Sequence, residues 1–225
     1  MDMYGHKHSS LPQKTVIVAI ELVLLGIAGL VLFGPLGASF RAFGDSPHLG
    51  RNLTLLVFDI VVFARYLATM FVFVERRIPW DEAFSIPLAF ALYLVGFPLL
   101  AKPASTGFGA LELLGIGLFV GGSFINTYAE YQRRRFKRRP QNAGQLYTGG
   151  LFAITMHPNY FGDLLWVAGF ACVTHNAFAC LIPAFLLGFF YFYNIPKLDA
   201  YLRSHYGAAF TAYAQRTKRL VPFVL

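Results

Sequence analysis

The chain has 225 residues, of which 56% are hydrophobic, 17% aromatic and only 13% charged. A water-soluble domain carries roughly 25% charged residues, so this composition excludes an ordinary soluble fold and points to helices that face lipid. The net charge of +8 is mostly a topology signal, and no nucleic-acid partner is expected from it.

The first fifteen residues are polar and lack the charged–apolar–small order of a cleaved signal peptide. Six apolar runs follow, to be compared with the roughly 20 residues that a membrane-crossing helix needs. Val16–Phe33 is interrupted only by Glu21, and Leu53–Val74 carries Asp59 and Arg65. Ala83–Ala101 is uncharged but contains Pro87 and Pro98, and Phe108–Tyr128 carries Glu112. Tyr160–Thr174 is shorter and carries Asp163, while Ala177–Ile195 is uncharged and rich in Phe and Tyr. The runs are continuous, unlike the alternating strands of a membrane β-barrel. The expected fold is all-α: a polytopic integral membrane bundle of about six transmembrane helices plus a C-terminal amphipathic helix, forming one domain over 1–225. No internal repeat is visible.

Lys and Arg are enriched in cytoplasmic loops. With six spans, one side holds Lys7, Lys14, Arg76, Arg77, the run Arg133, Arg134, Arg135, Lys137, Arg138 and Arg139, and the tail residues Lys197, Arg203, Arg216, Lys218 and Arg219. The other side holds Arg41, Arg51 and Lys102. Both termini are therefore expected in the cytoplasm. Cys172 and Cys180 form no CxxC pattern, no metal-ligand cluster is seen, and both are expected to be buried as small apolar groups.

Polar residues concentrate in the C-terminal half. Asn126, Glu130 and Arg134 recur every four residues, which puts them on one helical stripe flanked by Arg133 and Lys137. An amide, a carboxylate and guanidinium groups suit a nucleotide; a solvated juxtamembrane helix gripping lipid phosphates is the other reading. Next come Gly149-Gly150-Leu151-Phe152 and Met156-His157-Pro158-Asn159-Tyr160-Phe161-Gly162-Asp163. The glycines permit a sharp turn, and Pro158 is suited to start a helix. His157, Asn159, Tyr160 and Asp163 then crowd that helix's N-terminus, at a depth where ionisable groups mark a cavity or a satisfied cap. In the tail, Leu198, Leu202, Tyr206, Phe210 and Tyr213 form an apolar stripe, with Asp199, Arg203 and His205 off it. This helix either anchors the chain at the interface or folds over a pocket and adds Tyr206 and Tyr213 to it.

The stretch Glu130-Tyr131-Gln132-Arg133-Arg134-Arg135-Phe136, then Asn142-Ala143-Gly144, Gly150-Leu151-Phe152, His157–Asp163 and Thr217–Phe223 resembles the C-terminal domain of the steroid 5α-reductase family, in its DUF1295 branch. The resemblance covers roughly residues 110–225. The His-Pro-x-Tyr element is shared more distantly with the isoprenylcysteine carboxyl methyltransferase group. The reductase resemblance implies NADPH as cofactor and reduction of a carbon–carbon double bond conjugated to a carbonyl in an apolar lipid or steroid-like molecule. It implies dinucleotide contacts from Asn126, Glu130, Arg134, Asn159, Asp163 and Tyr206, with His157, Tyr160 and Tyr213 beside them. Residues 106–225 are then the cofactor half and 1–105 the substrate side.

The steroid enzymes polarise the carbonyl with a Glu and a Tyr from N-terminal spans. Here Arg65 fits that motif, but Val62 stands at the Tyr position, and Met156 replaces the usual Arg before His-Pro. The substitutes within the spans are Glu21, Asp59 and Tyr66, with Tyr93 a further one; a buried pairing of Asp59 or Glu21 with Arg65 is the alternative. Two other functions stay open: an S-adenosylmethionine-dependent membrane methyltransferase, and a non-catalytic membrane protein that keeps the fold. The methyltransferases carry a Glu-Glu pair where this chain has Leu198-Asp199-Ala200. Expected surroundings are membrane lipids, in the endoplasmic reticulum of a eukaryote or the inner membrane of a bacterium.

Overall fold

The structure is a computed structural model that describes residues 10–34, 36–37, 48–74, 76–101 and 108–224. Lys7, Arg41 and Lys102, used above to read orientation, lie outside the described residues. Among the described residues nine α-helices follow one another: α1 Leu11–Phe33, α2 Leu49–Ala68, α3 Trp80–Leu94, α4 Gly96–Leu100, α5 Ala110–Lys137, α6 Pro158–Thr174, α7 Leu181–Phe189, α8 Ile195–Tyr206 and α9 Ala208–Arg216. Single wide π-turns, Thr69–Phe73 and Phe190–Asn194, extend α2 and α7. Among the described residues there is no strand, only an isolated parallel bridge between Thr155 and Lys218.

The chain is an all-α integral membrane bundle. Among the described residues, five helical stretches are long and apolar enough to cross a bilayer: Leu11–Phe33, Leu49–Phe73, Trp80–Leu100, Ala110–Lys137 and Ala177–Tyr206. The fifth of the six expected runs, Tyr160–Thr174, lies in α6, which has 17 residues. At about 1.5 Å per residue it is about 25 Å long, short of a hydrocarbon core about 30 Å thick. Its polar first turn explains why the apolar run there is short.

The helix ends follow from local chemistry. His48 accepts the Arg51 N–H at 3.2 Å and caps α2. Asp81 and Glu82 sit in the first turn of α3, where the helix dipole favours acids. The π-turn after α2 leaves carbonyls without helical partners. Lys14 of α1 donates its ammonium to Met70 O and to Val74 O (2.9 Å), so a cation inside an apolar helix closes its neighbour.

Two compact units are present, Met1–Ile116 with Phe170–Cys180, and Gly117–Gly169 with Leu181–Leu225. In the first, α1 packs on α2 and α3, around Ile17, Tyr66, Met70, Ile78 and Ala83. Phe170 stacks on Phe97 and meets Phe58 edge-on. Fully buried Arg51 donates to buried Glu112 at 2.8 Å, and Glu112 also meets His175 Nδ1 at 2.7 Å and the Gly109 N–H at 2.8 Å. Charges that cannot reach water are thus paired and hydrogen-bonded. The cysteine expectation fails in part: Cys172 is half-buried but Cys180 is exposed. Cys180 ends the short 3₁₀ turn Ala177–Cys180, in which Ala179 takes the buried position.

The second unit is organised by one helix crossing. Gly122 of α5 and Gly162 of α6 touch backbone to backbone. A Cβ on Gly122 would lie 2.4 Å from Trp166 N and 2.5 Å from Gly162 O, and one on Gly162 would lie 2.6 Å from Asn126 N. Lipid supplies no hydrophobic drive between helices, so close approach through small residues is what holds such a pair.

Candidate functional site

The glycine crossing brings one polar stripe of α5 against the first turns of α6. Asn126 lies one turn beyond Gly122, and Asp163 follows Gly162. The Asn126 amide donates to Asp163 Oδ1 at 2.8 Å and to the Asn159 carbonyl at 3.2 Å. One turn on, the Asn159 amide donates to Glu130 Oε1 at 3.4 Å. Trp166 Nε1 donates to the same Asp163 oxygen at 2.8 Å, and Arg133 pairs with the other oxygen of Glu130. Asn126, Glu130, Asn159 and Asp163 are therefore one network. Arg134, on the same face of α5, is half-buried.

The turn before α6 is built by Gly150, which has φ +57°. A Cβ there would strike the Gln132 side chain, whose Oε1 accepts the Leu151 N–H at 3.1 Å. A side chain at 150 would thus suffer twice, from backbone strain and from the loss of that bond.

The C-terminal segment straps onto the same turn. Met156 N–H donates to Lys218 O at 2.8 Å and His157 N–H to Arg219 O at 3.1 Å. The Thr155 hydroxyl reaches Arg219 O at 3.1 Å and Leu220 O at 2.9 Å. His157 Nε2 lies 2.9 Å from Asp199 Oδ1, and Arg219 Nε lies 3.2 Å from Asp199 Oδ2. Asp199 is buried, which corrects its placement on the outer face of an amphipathic tail: the stripe of α8 has acidic as well as apolar members because His157 needs a partner. Tyr160 stacks on His157 and, at 4.5 Å, on Phe190 of the second π-turn. Phe210 and Tyr213 form a core with Met156, with Tyr206 packed against it. The Tyr213 hydroxyl donates to Phe152 O, and burial raises its phenol above the ordinary range, with Arg216 pulling the other way.

Of the residues proposed from sequence for the cofactor, Asn126, Glu130, Asn159 and Asp163 are joined directly. His157 and Tyr160 share the first turn of α6 or its approach, and Tyr206 and Tyr213 lie with the strap. Sequence reasoning missed Gly122, Gly162, Trp166, Asp199 and Arg219. Trp166 sits one turn after Asp163, a legible spacing; the two glycines have no partner visible in one dimension.

The proposed catalytic groups lie in the first unit. Glu21, Asp59 and Tyr66 are all buried. The alternative pairing with Arg65 is absent for Asp59, neither of whose oxygens has a hydrogen-bond partner among the described residues. Both are on α2, six residues apart, which is too far round and along a helix to meet. Tyr93 packs its ring edge-on to Phe90.

An apolar bundle carrying a half-buried amide–carboxylate network beside a run of arginines defines a polytopic membrane protein. The chain belongs to the family described as protein of unknown function DUF1295, a steroid 5α-reductase-like family, whose model matches residues 79–217. It is 28% identical over 181 residues to the probable O-methyltransferase ustE of Ustilaginoidea virens, covering 74% of this chain and 63% of that protein. It is 28% identical over 137 residues to protein-S-isoprenylcysteine O-methyltransferase B of Arabidopsis thaliana, covering 61% and 70%. It is 27% identical over 110 residues to 3-oxo-5-alpha-steroid 4-dehydrogenase 2 of Rattus norvegicus, covering 49% and 41%. The chain thus spans less than two thirds of the first of these relatives and under half of the rat enzyme. The relatives carry the names of enzymes of two kinds, O-methyltransferase and steroid 4-dehydrogenase.

Proposed function

We propose that the chain is an NADPH-dependent membrane reductase that acts on a carbon–carbon double bond conjugated to a carbonyl, in a lipid or steroid-like substrate. The observation that carries this reading is the network of Asn126, Glu130, Asn159 and Asp163 across two helices. Amide and carboxylate groups suit the ribose hydroxyls and carboxamide of a dinucleotide, and Arg133, Arg134 and Arg135 on the adjoining turn suit its phosphates. S-adenosylmethionine has no phosphate for them to hold.

When bound, NADPH supplies the hydride. The residues of this chain orient it and shape the charge around the reacting carbonyl. Asn159 and Asp163 are held by the α5–α6 crossing, and His157 is held by Asp199 and the strap. His157, Tyr160, Tyr206 and Tyr213 shape the wall of the site. Negative charge develops on the carbonyl oxygen as hydride arrives, so a hydrogen-bond donor there lowers the barrier; Tyr66, Glu21 and Asp59 are the groups proposed for this side. In this reading 1–105 handle substrate and 106–225 the cofactor. Both termini face the cytoplasm, with the dinucleotide arriving from the basic side in the endoplasmic reticulum or bacterial inner membrane.

A second reading, an S-adenosylmethionine-dependent methyltransferase, is favoured by the names of two relatives. It is weakened by the tail, where Asp199 is engaged by His157 and Arg219. Thermal-shift titration of the detergent-purified chain with each ligand decides between them. NADPH stabilisation that Asn159→Ala and Glu130→Ala abolish is the expected result. Stabilisation by S-adenosylmethionine alone overturns the reading, and silence toward both leaves a non-catalytic membrane protein.

A further inference from the structure

The outer surface of the second unit carries a column of aromatic rings. Phe185 of α7, Phe189 at its end and Tyr193 of the second π-turn are 65%, 42% and 56% exposed. Phe189 stacks on Phe185, with ring centroids 6.2 Å apart and planes at 12°, and on Tyr193 at 5.3 Å and 22°. Lys197 of α8 then places its ammonium 5.5 Å from the centre of the Tyr193 ring. Lys197 is exposed, and among the described residues its ammonium has no hydrogen bond or ion pair.

These four side chains recur every four residues. On a regular α-helix of 3.6 residues per turn such a series drifts by about 40° at each step and leaves one face. The π-turn is wider, closing i to i+5, and takes up that drift. It also turns Phe190 inward onto Tyr160 at 4.5 Å, so that Phe189 and Tyr193 stay outside. Phe185 lies near the middle of the apolar run Ala177–Ile195, and Lys197 just past its end. The distance between them along the axis is about 18 Å, and one leaflet of the hydrocarbon core is about 15 Å deep. The column therefore has the length of one leaflet, with its amine at the level of the headgroups. An aromatic belt occupies a single depth at the interface; three rings stacked in depth are a different arrangement.

We propose that this column binds an anionic phospholipid, with an acyl chain along Phe185, Phe189 and Tyr193 and the phosphate on Lys197. Charge decides the occupant. An exposed ammonium without an acid of its own complements a phosphate, whereas a zwitterionic headgroup brings a second cation against it. A second copy of the chain is disfavoured, because a two-fold contact through this face sets Lys197 against its own counterpart. Stacked rings hold one another's rotamers, so little side-chain freedom is lost when an acyl chain settles on them. The site goes beyond the proposed reaction and needs neither nucleotide nor turnover.

The test titrates the full chain, purified in an uncharged detergent without nucleotide, with phosphatidylglycerol or with phosphatidylcholine of the same acyl chains, and counts bound lipid by native mass spectrometry. The wild type should bind phosphatidylglycerol about fivefold more tightly, the effect of one basic residue at a membrane surface. Lys197→Gln should abolish that preference and Lys197→Arg keep it. Lys218→Gln, which removes an exposed cation elsewhere in the same unit, should leave it unchanged. Phe189→Ala should weaken both lipids alike, by about threefold or more. Without lipid every variant should melt close to wild type, because the positions are exposed. Should Phe189→Ala not fold, Phe189→Leu, which keeps apolar bulk but not the stack, must still weaken both lipids. Equal binding of the two lipids by wild type, a preference that survives Lys197→Gln or falls equally in Lys218→Gln, or unchanged affinity in the folded Phe189 variants overturns the proposal. So does full displacement of the lipid by an equal concentration of glycerol phosphate, which would mean that the headgroup alone is held. A dimer that takes up no lipid and parts in Phe189→Ala would make the occupant a second copy, and overturns it too.

Discussion

Polar groups that are half-buried or buried occur in both units, and the two sets behave differently. On α5 and α6, Asn126, Glu130, Asn159 and Asp163 each have partners at 2.8 to 3.4 Å. On the seam of α1 and α2, Asp59 has none among the described residues, and Glu21 and Tyr66 each leave a buried oxygen bare. The first unit does pair charge elsewhere, since Arg51 and His175 both meet Glu112 there. A closed network holds donors and acceptors in one geometry before a ligand arrives. A bare carboxyl lowers stability and persists where it serves something other than the fold.

The contrast is most directly broken at the helix crossing. Gly122→Val should cost about 3 kcal/mol or more, because the added atoms meet backbone rather than a side chain that can turn away. The melting temperature in detergent should fall steeply, and any nucleotide response should vanish with it. Asp199→Ala comes next, at about 2 kcal/mol, since it leaves His157 buried beside a lost acceptor; limited proteolysis near residues 150–160 should show the strap loosened. Asn126→Ala removes the donor shared by Asp163 and the Asn159 carbonyl. It should cost about 1 kcal/mol of stability and most of the NADPH-induced shift, a split that an ordinary structural bond would not produce. The Trp166 indole bonded to Asp163 provides the reporter, as its emission should respond to NADPH in wild type and not in Asn126→Ala. Arg133→Gln is the smallest, within about 0.5 kcal/mol, because its ion pair with Glu130 is partly exposed; a change in nucleotide affinity larger than in stability would mark it as a phosphate contact. On the seam the sign reverses: Asp59→Leu should raise stability, and a fall there would mean that Asp59 serves packing.

How much of this was legible in one dimension depended on whether partners lie on one helix. The stripe of Asn126, Glu130 and Arg134 and the pair Asn159 and Asp163 follow from a four-residue period. That the two stripes join requires the Gly122–Gly162 contact, set by atoms 40 residues apart in sequence. Asp199 was assigned to an outer face because its own helix gives no sign of His157, 42 residues upstream. Of the six apolar runs, Tyr160–Thr174 forms the shortest helix, because hydropathy does not register that α6 spends its first turn on polar contacts.

Composition and apolar run length alone determined that this chain is a helical membrane protein, since in lipid every backbone group must be satisfied within its own segment and length with hydropathy suffices to say so. The residues around His157–Asp163 likewise carried the family in their order. Only the tertiary structure decided which polar side chains meet and which stay bare. That outcome depends on helix register and on how closely two backbones approach, and neither is a property of any single segment.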